Sequence, residues 1–410
     1  MITNQHKFSF IKKVFAVLSD INSVMRNEFK TIFRDRGVVI IFVLASLVYP
    51  ILYCGIYKNE TLTEVPIAVV DDSHSNRSGE FLRKIDATPD VKIAAKYLNM
   101  DEAKKAYYDK KVHGIVYIPN DFNEKLNSRE QATVAVYCDM SSFLYYRAMI
   151  QSTNFVTLDM GKEIQVERLN VRGIVGESAE NVAEPVPFES NILFNPGAGF
   201  ASFLMPAILI LIIHQTLFFG IGMLVGTNRE DNRFHDFVNS KLSHDGIYRV
   251  ITGKSLSYFL LYVVFSFYIL EVTPHLFNLP HIGAPIDLIK FILPFLFATI
   301  FFSMTVSVFF PERETGMIVF LFFSLILLFL SGISWPQSNM PVFWKTLSWI
   351  FPSTHGIQGY IKINSMGANI TEVKYEYVSL WIQTGLYFIT TTLAYRWQIY
   401  RSLKKVKVEN

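Results

Sequence analysis

The chain has 410 residues, 51% of them hydrophobic and 18% charged, where an average soluble protein carries about 25% charged residues. That balance excludes an ordinary soluble domain and suits a polytopic membrane protein with a soluble insert. The formal net charge of +3 points to basic edges meeting anionic lipid rather than to a nucleic-acid surface.

Residues 8 to 36 read as an amphipathic helix, with Phe8, Ile11, Phe15, Leu18, Ile21 and Met25 at helical spacing and basic residues between them. Such a helix is expected in the inner membrane interface, with a solvated helix or frayed tail as the alternative. An apolar run follows at 37 to 57, long enough to cross a hydrocarbon core, which takes about 20 residues. It lies too far from the start and runs too long for a secretory leader, so it is read as an uncleaved first span.

Residues 58 to 197 are mostly polar and alternate strand and helix signals, which predicts an independent α/β domain. Strands are expected at 65 to 70, 91 to 97, 112 to 118 and 132 to 138. Helices are expected at about 77 to 86, 101 to 110, 120 to 128 and 142 to 170. The Asp71, Asp72, Ser73, His74, Ser75 segment tempts as a ligand site but reads as a turn and helix cap. A connector with Pro185, Pro187 and Pro196 leads back to the apolar region. The two cysteines, Cys54 and Cys138, form no disulfide framework and no metal-ligand pattern.

Five further apolar runs follow, at 199 to 226, 251 to 270, 288 to 310, 316 to 335 and 379 to 396. Lys254, Glu271 and Lys290 fall near their ends, where long side chains snorkel, and His214 is the ionisable group deep within a span. Lys and Arg in short flanks set orientation. Lys7, Lys12, Lys13, Arg26, Lys30, Arg34 and Arg36 put the N-terminus in the cytoplasm. Six spans return the C-terminus, with Arg401, Lys404, Lys405 and Lys407 in the tail 401 to 410, to the same side. The connection 227 to 250 carries Arg229, Arg233, Lys241 and Arg249 and is placed inside; the connection 271 to 287 has neither Lys nor Arg and is placed outside. The expected fold is therefore a polytopic α-helical membrane protein of six transmembrane helices, 37–57 and five within 198–400. An α/β extracytoplasmic domain is inserted after helix 1.

No catalytic constellation stands out. Gly253, Lys254 and Ser255 lack the earlier glycine of a phosphate loop, since Tyr248 occupies its place. His235 and His244 are read as surface residues rather than zinc ligands, and no metal site is expected. Gly222 and Gly226 have the spacing that lets helices approach closely. Trp335, Trp344 and Trp349 among Pro336, Pro341 and Pro352 suggest a re-entrant hairpin over 336 to 378.

Three places resemble ABC transporter permeases of the ABC-2 class: Arg26 to Arg36 leading into the first span, the loop from Gly226 and Thr227 to Gly253 and Lys254 with Glu230 and Ser243, and the stretch Ser331, Gly332, Pro336, Asn339, Met340, Pro341, Ser348 and Pro352. Ile118, Pro119, Asp121 and Phe122, with the Asp-rich turn, are similar to members bearing a large domain between helices one and two. The resemblance implies an exporter half in the bacterial inner membrane that pairs with a second copy or paralogue. Separate cytoplasmic P-loop ATPase subunits would bind ATP and Mg, with no cofactor in this chain and a periplasmic adaptor left open. It places a coupling helix at Arg229, Glu230, Asp231, Arg233, Phe234, Asp236 and Phe237, whose Phe side would suit a partner groove, and a smaller contact at Glu312 and Arg313. It makes Ser331, Gly332, Pro336, Asn339, Met340, Pro341 and Pro352 an outer gate. Helices two and five would line a path for a hydrophobic or amphipathic substrate, with His214, Phe218, Phe219, Phe320, Phe323 and Ser324 as candidates. An ion-coupled secondary transporter and a membrane receptor or anchor are the competing readings.

Overall fold

The computed structural model describes residues 2–187, 190–239 and 246–409, with side chains described outside 2–14, 238–239, 320–321 and 408–409. The expected features at Lys241, Ser243 and His244 lie outside these residues, as do the side chains of Phe8, Ile11 and Phe320. The chain divides into two compact units, Thr61–Asn191 and the combination of Met1–Glu60 with Ile192–Asn410.

The smaller unit is built on a four-stranded sheet. Its strands are β1 (Val65–Asp71), β2 (Val91–Tyr97), β3 (Gly114–Ile118) and β4 (Ala135–Cys138), in the order β2-β1-β3-β4. β1 pairs in parallel with β2 and β3, while β4 is antiparallel to β3. Parallel neighbours need crossovers, which α3 (Asn76–Asp86) and α4 (Met100–Tyr108) supply. β1 is buried along most of its length because both of its faces are covered, and this explains its uninterrupted apolar run. Val65, Ile67 and Val69 face one core with Phe81 of α3, Phe122 of α5 (Phe122–Asn127) and Met149 of α6 (Phe143–Val171). Ala68 and Val70 face the other with Ala103 and Ala106 of α4. The Asp71 to Ser75 turn is a cap. Asp71 accepts from the amides of Ser73 and His74 at 3.1 and 3.2 Å, and Ser75 forms a capping box with Ser78. The unit closes with a short helix α7 (Glu177–Ala183).

In the larger unit α1 (Ile2–Arg34) precedes α2 (Arg36–Ile56), which widens into a π turn at Ile40–Ala45. Then come α8 (Phe200–Glu230), α9 (Gly246–Leu276), α10 (Pro285–Ser307) and α11 (Thr315–Leu330), followed by α12 (Val342–Ser348), α13 (Pro352–Met366) and α14 (Lys374–Glu409). Among the described residues, four helices are long and apolar enough to cross a membrane: α2, α8, α9 and α10. The sequence led to an expectation of six. α11 has 16 residues, about 24 Å at helical rise, and stands outside those four by its length. The run 379 to 396 lies inside α14, where a ladder of threonines bonds to α10: Thr384 to the Pro294 carbonyl at 3.2 Å and Thr391 to that of Phe301 at 2.9 Å.

α8 is the axle of this unit, with 89% of its apolar stretch buried inside the chain. Gly220 shows why it can be wrapped so closely. A Cβ there would fall 1.9 Å from the Phe42 ring, which sits edge-on to Tyr258 and Tyr262 at 6.0 and 5.4 Å. An apolar helix buried on all sides needs partners that satisfy its few polar groups, and Ser46 of α2 donates to Thr216 at 3.4 Å.

The structure corrects the reading of Lys254 as a snorkelling end residue. It is 5% exposed, and its ammonium pairs with Glu28 of α1, also 5% exposed. Tyr258 donates to the same carboxylate. α1 therefore packs along α9 through its Ile21, Val24, Met25 and Glu28 side, and Ser257 bonds to the Met25 carbonyl at 3.1 Å. Phe15 and Leu18 stay exposed and remain the part of α1 available to an interface.

Removing one member of a buried ion pair leaves a charge without compensation. Lys254→Met is expected to destabilise the purified protein by about 3 kcal/mol or more, read as a lowered thermal unfolding midpoint in detergent. The double variant Glu28→Leu/Lys254→Met is expected to recover most of that loss, and equal midpoints for the two variants would contradict the pairing.

Candidate functional site

Three helices meet around a small, partly open cavity of about 10 Å³, room for roughly one water. α8 contributes His214, Gln215 and Phe218, α10 contributes Phe302, and α11 contributes Phe323, Ser324 and Leu327. The i, i+4 spacing of His214 and Phe218 puts both on one face of α8, and their rings stack at 6.5 Å. Phe302 lies 5.9 Å from His214 and 6.0 Å from Phe218, and Phe323 lies 6.4 Å from Phe218. Phe351, just before α13, closes the cluster at 5.8 Å from Phe302 and 5.9 Å from Phe323. His214 is 1% exposed and neither ring nitrogen meets a protein partner, so a water in the cavity is its natural complement. Gln215 ties α8 to α11 by donating to the Ser324 carbonyl at 3.4 Å.

The structure thus gathers His214, Phe218, Phe323 and Ser324 from the sequence-derived path. Phe219 is half-buried and does not line the cavity. Gln215, Phe302 and Leu327 escaped sequence reasoning. Phe302 carried no signal, because the run 288 to 310 is rich in phenylalanine, whereas Gln215 was readable as a second polar residue beside His214.

At one end of the unit the C-terminus of α8, the N-terminus of α2 and the turn between α10 and α11 come together. Arg313 makes a two-pronged ion pair with Asp35, at 2.5 and 2.7 Å. Asp35 also caps α2 by accepting from the amides of Gly37 and Val38 at 3.0 and 3.2 Å. The Arg313 amide donates to Glu230 at 3.4 Å, and Arg229 reaches the Val308 carbonyl at 2.9 Å. This turn can lie so close because α8 has glycine there. A Cβ on Gly226 would sit 2.8 Å from the Glu312 carbonyl oxygen, and one on Gly222 would sit 3.1 Å from the Phe310 ring. The two glycines serve packing within one chain.

Past Glu230 the chain reverses at Asn232, which adopts a left-handed conformation (φ 51°) and accepts from Ser402 of α14 through its backbone and side-chain oxygens. A 3-10 turn at Arg233–His235 follows, then one helical turn from Asp236. The expectation that Phe234 and Phe237 offer an aromatic side to a partner is corrected. Phe234 is 1% exposed against Tyr395 of α14 at 5.6 Å and Phe237 at 5.5 Å, and Phe237 lies beneath the Lys254 ammonium at 4.9 Å. What this end presents outward is charge: Glu230, Asp231, Arg233, Asp236 and Glu312 are exposed, with Arg233 and Asp231 paired at 2.7 Å.

At the other end of α11, Ser331 is buried and its carbonyl accepts from Gln358 of α13 at 3.2 Å. Gly332 has φ +90°, a conformation that favours glycine. Trp335 donates from its ring to the Asn339 carbonyl at 3.3 Å. Pro336, Pro341 and Pro352 open a 3-10 turn, α12 and α13 in succession, with half-buried Met340 ahead of Pro341. α13 is no surface cap; it is mostly buried within the bundle.

The model of a family described as ABC-2 family transporter protein matches residues 36–393. The chain is also similar to the "Probable multidrug ABC transporter permease YbhR" of Escherichia coli strain K12 and to the protein of the same name from Escherichia coli O157:H7. Each is 19% identical over 339 residues, covering 81% of this chain and 86% of the relative.

The hydrogen bond from Arg313 holds the Asp35 carboxyl below its ordinary value of 3.8. A carboxylate with a depressed folded value contributes stability that is present above the unfolded value and lost as pH falls through the folded one. The expected outcome is that Arg313→Ala is less stable than the parent at neutral pH. The difference should shrink below about pH 4, as Asp35 protonates in both states, which acid-dependent unfolding by circular dichroism checks.

Proposed function

The chain belongs to the ABC-2 family of transporter proteins, and from that premise we propose that it is the permease subunit of an ATP-driven exporter. ATP and Mg bind in separate cytoplasmic P-loop subunits, and two permease chains pair in the bacterial inner membrane. The observation that carries this reading is the junction at Arg313. One ion pair and one close approach join the exposed charged segment after α8 to the start of α2 and to the start of α11. A push on that segment by a partner reaches α11, and α11 forms one wall of the aromatic cavity. The docking surface in this reading is the charged set Glu230, Asp231, Arg233, Asp236 and Glu312, with Phe234 and Phe237 bracing it from within.

The proposed topology has six spans, α2, α8, α9, α10, α11 and α14, with both termini cytoplasmic and residues 58 to 197 outside, as in members with a large domain between helices one and two. Charge bias supports it, since Arg229, Arg233, Arg313 and Arg401 share one end of the unit while the connection 271 to 287 lacks Lys and Arg. The hairpin from Ser331 to Pro352 is the outer gate. Cargo is hydrophobic or amphipathic, in keeping with the aromatic lining and with the multidrug label of the relatives. The exposed apolar faces of α2 and α11, including Leu44, Phe322 and Phe329, suit lipid and a second permease copy.

A tagged chain is expected to co-purify with a P-loop ATPase under stringent washing, and a transport-active preparation without one would refute the reading. In the complex, the charge reversal Arg233→Glu/Asp236→Lys should lower cargo-stimulated ATP hydrolysis about tenfold, the scale of charge pairs across an interface, while leaving the unfolding midpoint of the isolated permease unchanged.

A further inference from the structure

We propose that Glu271, His275 and His281 form a zinc site at the end of α9 remote from Lys254. Glu271 and His275 stand one helical turn apart. The chain then reverses, with the Leu279 amide bonded to the Pro274 carbonyl at 2.9 Å and Asn278 at φ 54°, and this brings His281 back over the helix end. Each of the three side chains offers one ligand atom, and these atoms lie within 4.8 Å of one another. The His281 Nε2 is 3.1 Å from one oxygen of Glu271, and the His275 Nε2 is 3.6 Å from the other. Zinc holds nitrogen and oxygen at about 2.0–2.2 Å, so two ligands of a tetrahedral ion stand about 3.4 Å apart, between the two observed separations.

The second observation concerns which nitrogen of His281 carries a proton. Asn364 of α13 donates its amide NH₂ to the Pro280 carbonyl at 3.1 Å, which turns its side-chain oxygen toward His281 Nδ1. Nδ1 therefore bears a hydrogen, and Nε2 is left facing a carboxylate oxygen of Glu271. Nε2 and that oxygen face each other at a side chain only 8% exposed, and Nε2 has no hydrogen-bond partner. A cation belongs between them. A proton there would join His281 to Glu271 and leave His275 out; a divalent ion uses all three residues, and an imidazole bonded through Nδ1 to a carbonyl-type oxygen is a common arrangement for a zinc-ligating histidine. His275 is 64% exposed, which leaves the fourth position to solvent water. Imidazole and carboxylate together suit zinc over magnesium or calcium. The bound ion would clamp α9 to the segment before α10 and, through Asn364, to α13.

The test uses the purified full-length chain in detergent, stripped with a chelator and titrated with zinc sulfate against a chromophoric zinc indicator. One zinc per chain is expected, with affinity lowered at least about tenfold in His275→Ala. Zinc should also raise the unfolding midpoint of the parent and leave that of His275→Ala unmoved. Because His275 is exposed, the metal-free midpoints of the two proteins should coincide, separating lost binding from lost folding. Absence of zinc binding by the parent, or equal binding by His275→Ala, would overturn the proposal. Neither result bears on ATP-driven export.

Discussion

A buried ion pair organises the larger unit. Glu28 and Lys254 are separated by 226 positions in sequence and are each 5% exposed. Withdrawing both charges from water costs several kcal/mol per ion unless each finds a partner, so neither helix can take its observed place without the other. Tyr258 completes the carboxylate's bonding, and the Phe237 ring lies under the ammonium. Phe237 touches Phe234, and Phe234 touches Tyr395. One charge pair thereby links α1, α9, the segment after α8 and α14 into a single packed body.

That body gives the segment after α8 a firm footing. Phe234 packs on Tyr395, and Phe237 lies under the Lys254 ammonium. The segment's aromatic side chains are used as anchors and its charges are left facing out. A surface of this kind recognises a partner through charge complementarity, which sets orientation and encounter rate and weakens with salt. An apolar groove-filling helix would behave in the opposite way, holding its partner at high ionic strength. The packing of Phe234 and Phe237 therefore changes the kind of docking proposed without moving its location.

The strands were legible because β-branched runs bounded by turns have few other uses, and the Asp71 turn was legible because Asp and Ser satisfy free backbone donors in a recurring way. His214 and Phe218 were named among the path candidates, and their i, i+4 spacing puts both on one face of α8. Lys254 was misplaced, since nearness to a span end says nothing about a carboxylate on a helix more than two hundred residues away. The direction of Phe234 and Phe237 was hidden for a similar reason, as it depends on Tyr395 and Lys254. Of the six spans expected, α2, α8, α9 and α10 are long and apolar enough to cross a membrane among the described residues; composition windows do not show that α11 is short or that threonines of α14 are bonded to a neighbour.

The interface between α8 and α11 is graded along its length, and the gradient bears on how cargo could pass. Near Arg313 it is glycine on glycine: a Cβ on Gly316 would lie 3.4 Å from the Gly222 backbone, so the helices are pinned where the ion pair to Asp35 also holds them. Toward the cavity the contact becomes rings and the Gln215 bond to Ser324. Aromatic contacts separate without stranding a charge, whereas the glycine contact is short and stiff. In the proposed exporter, α11 would therefore tilt about its Arg313 end and open at the Phe323 level. The cavity of about one water is then the closed state of that movement, and His214, which lacks a protein partner, would meet water or cargo first as the rings part.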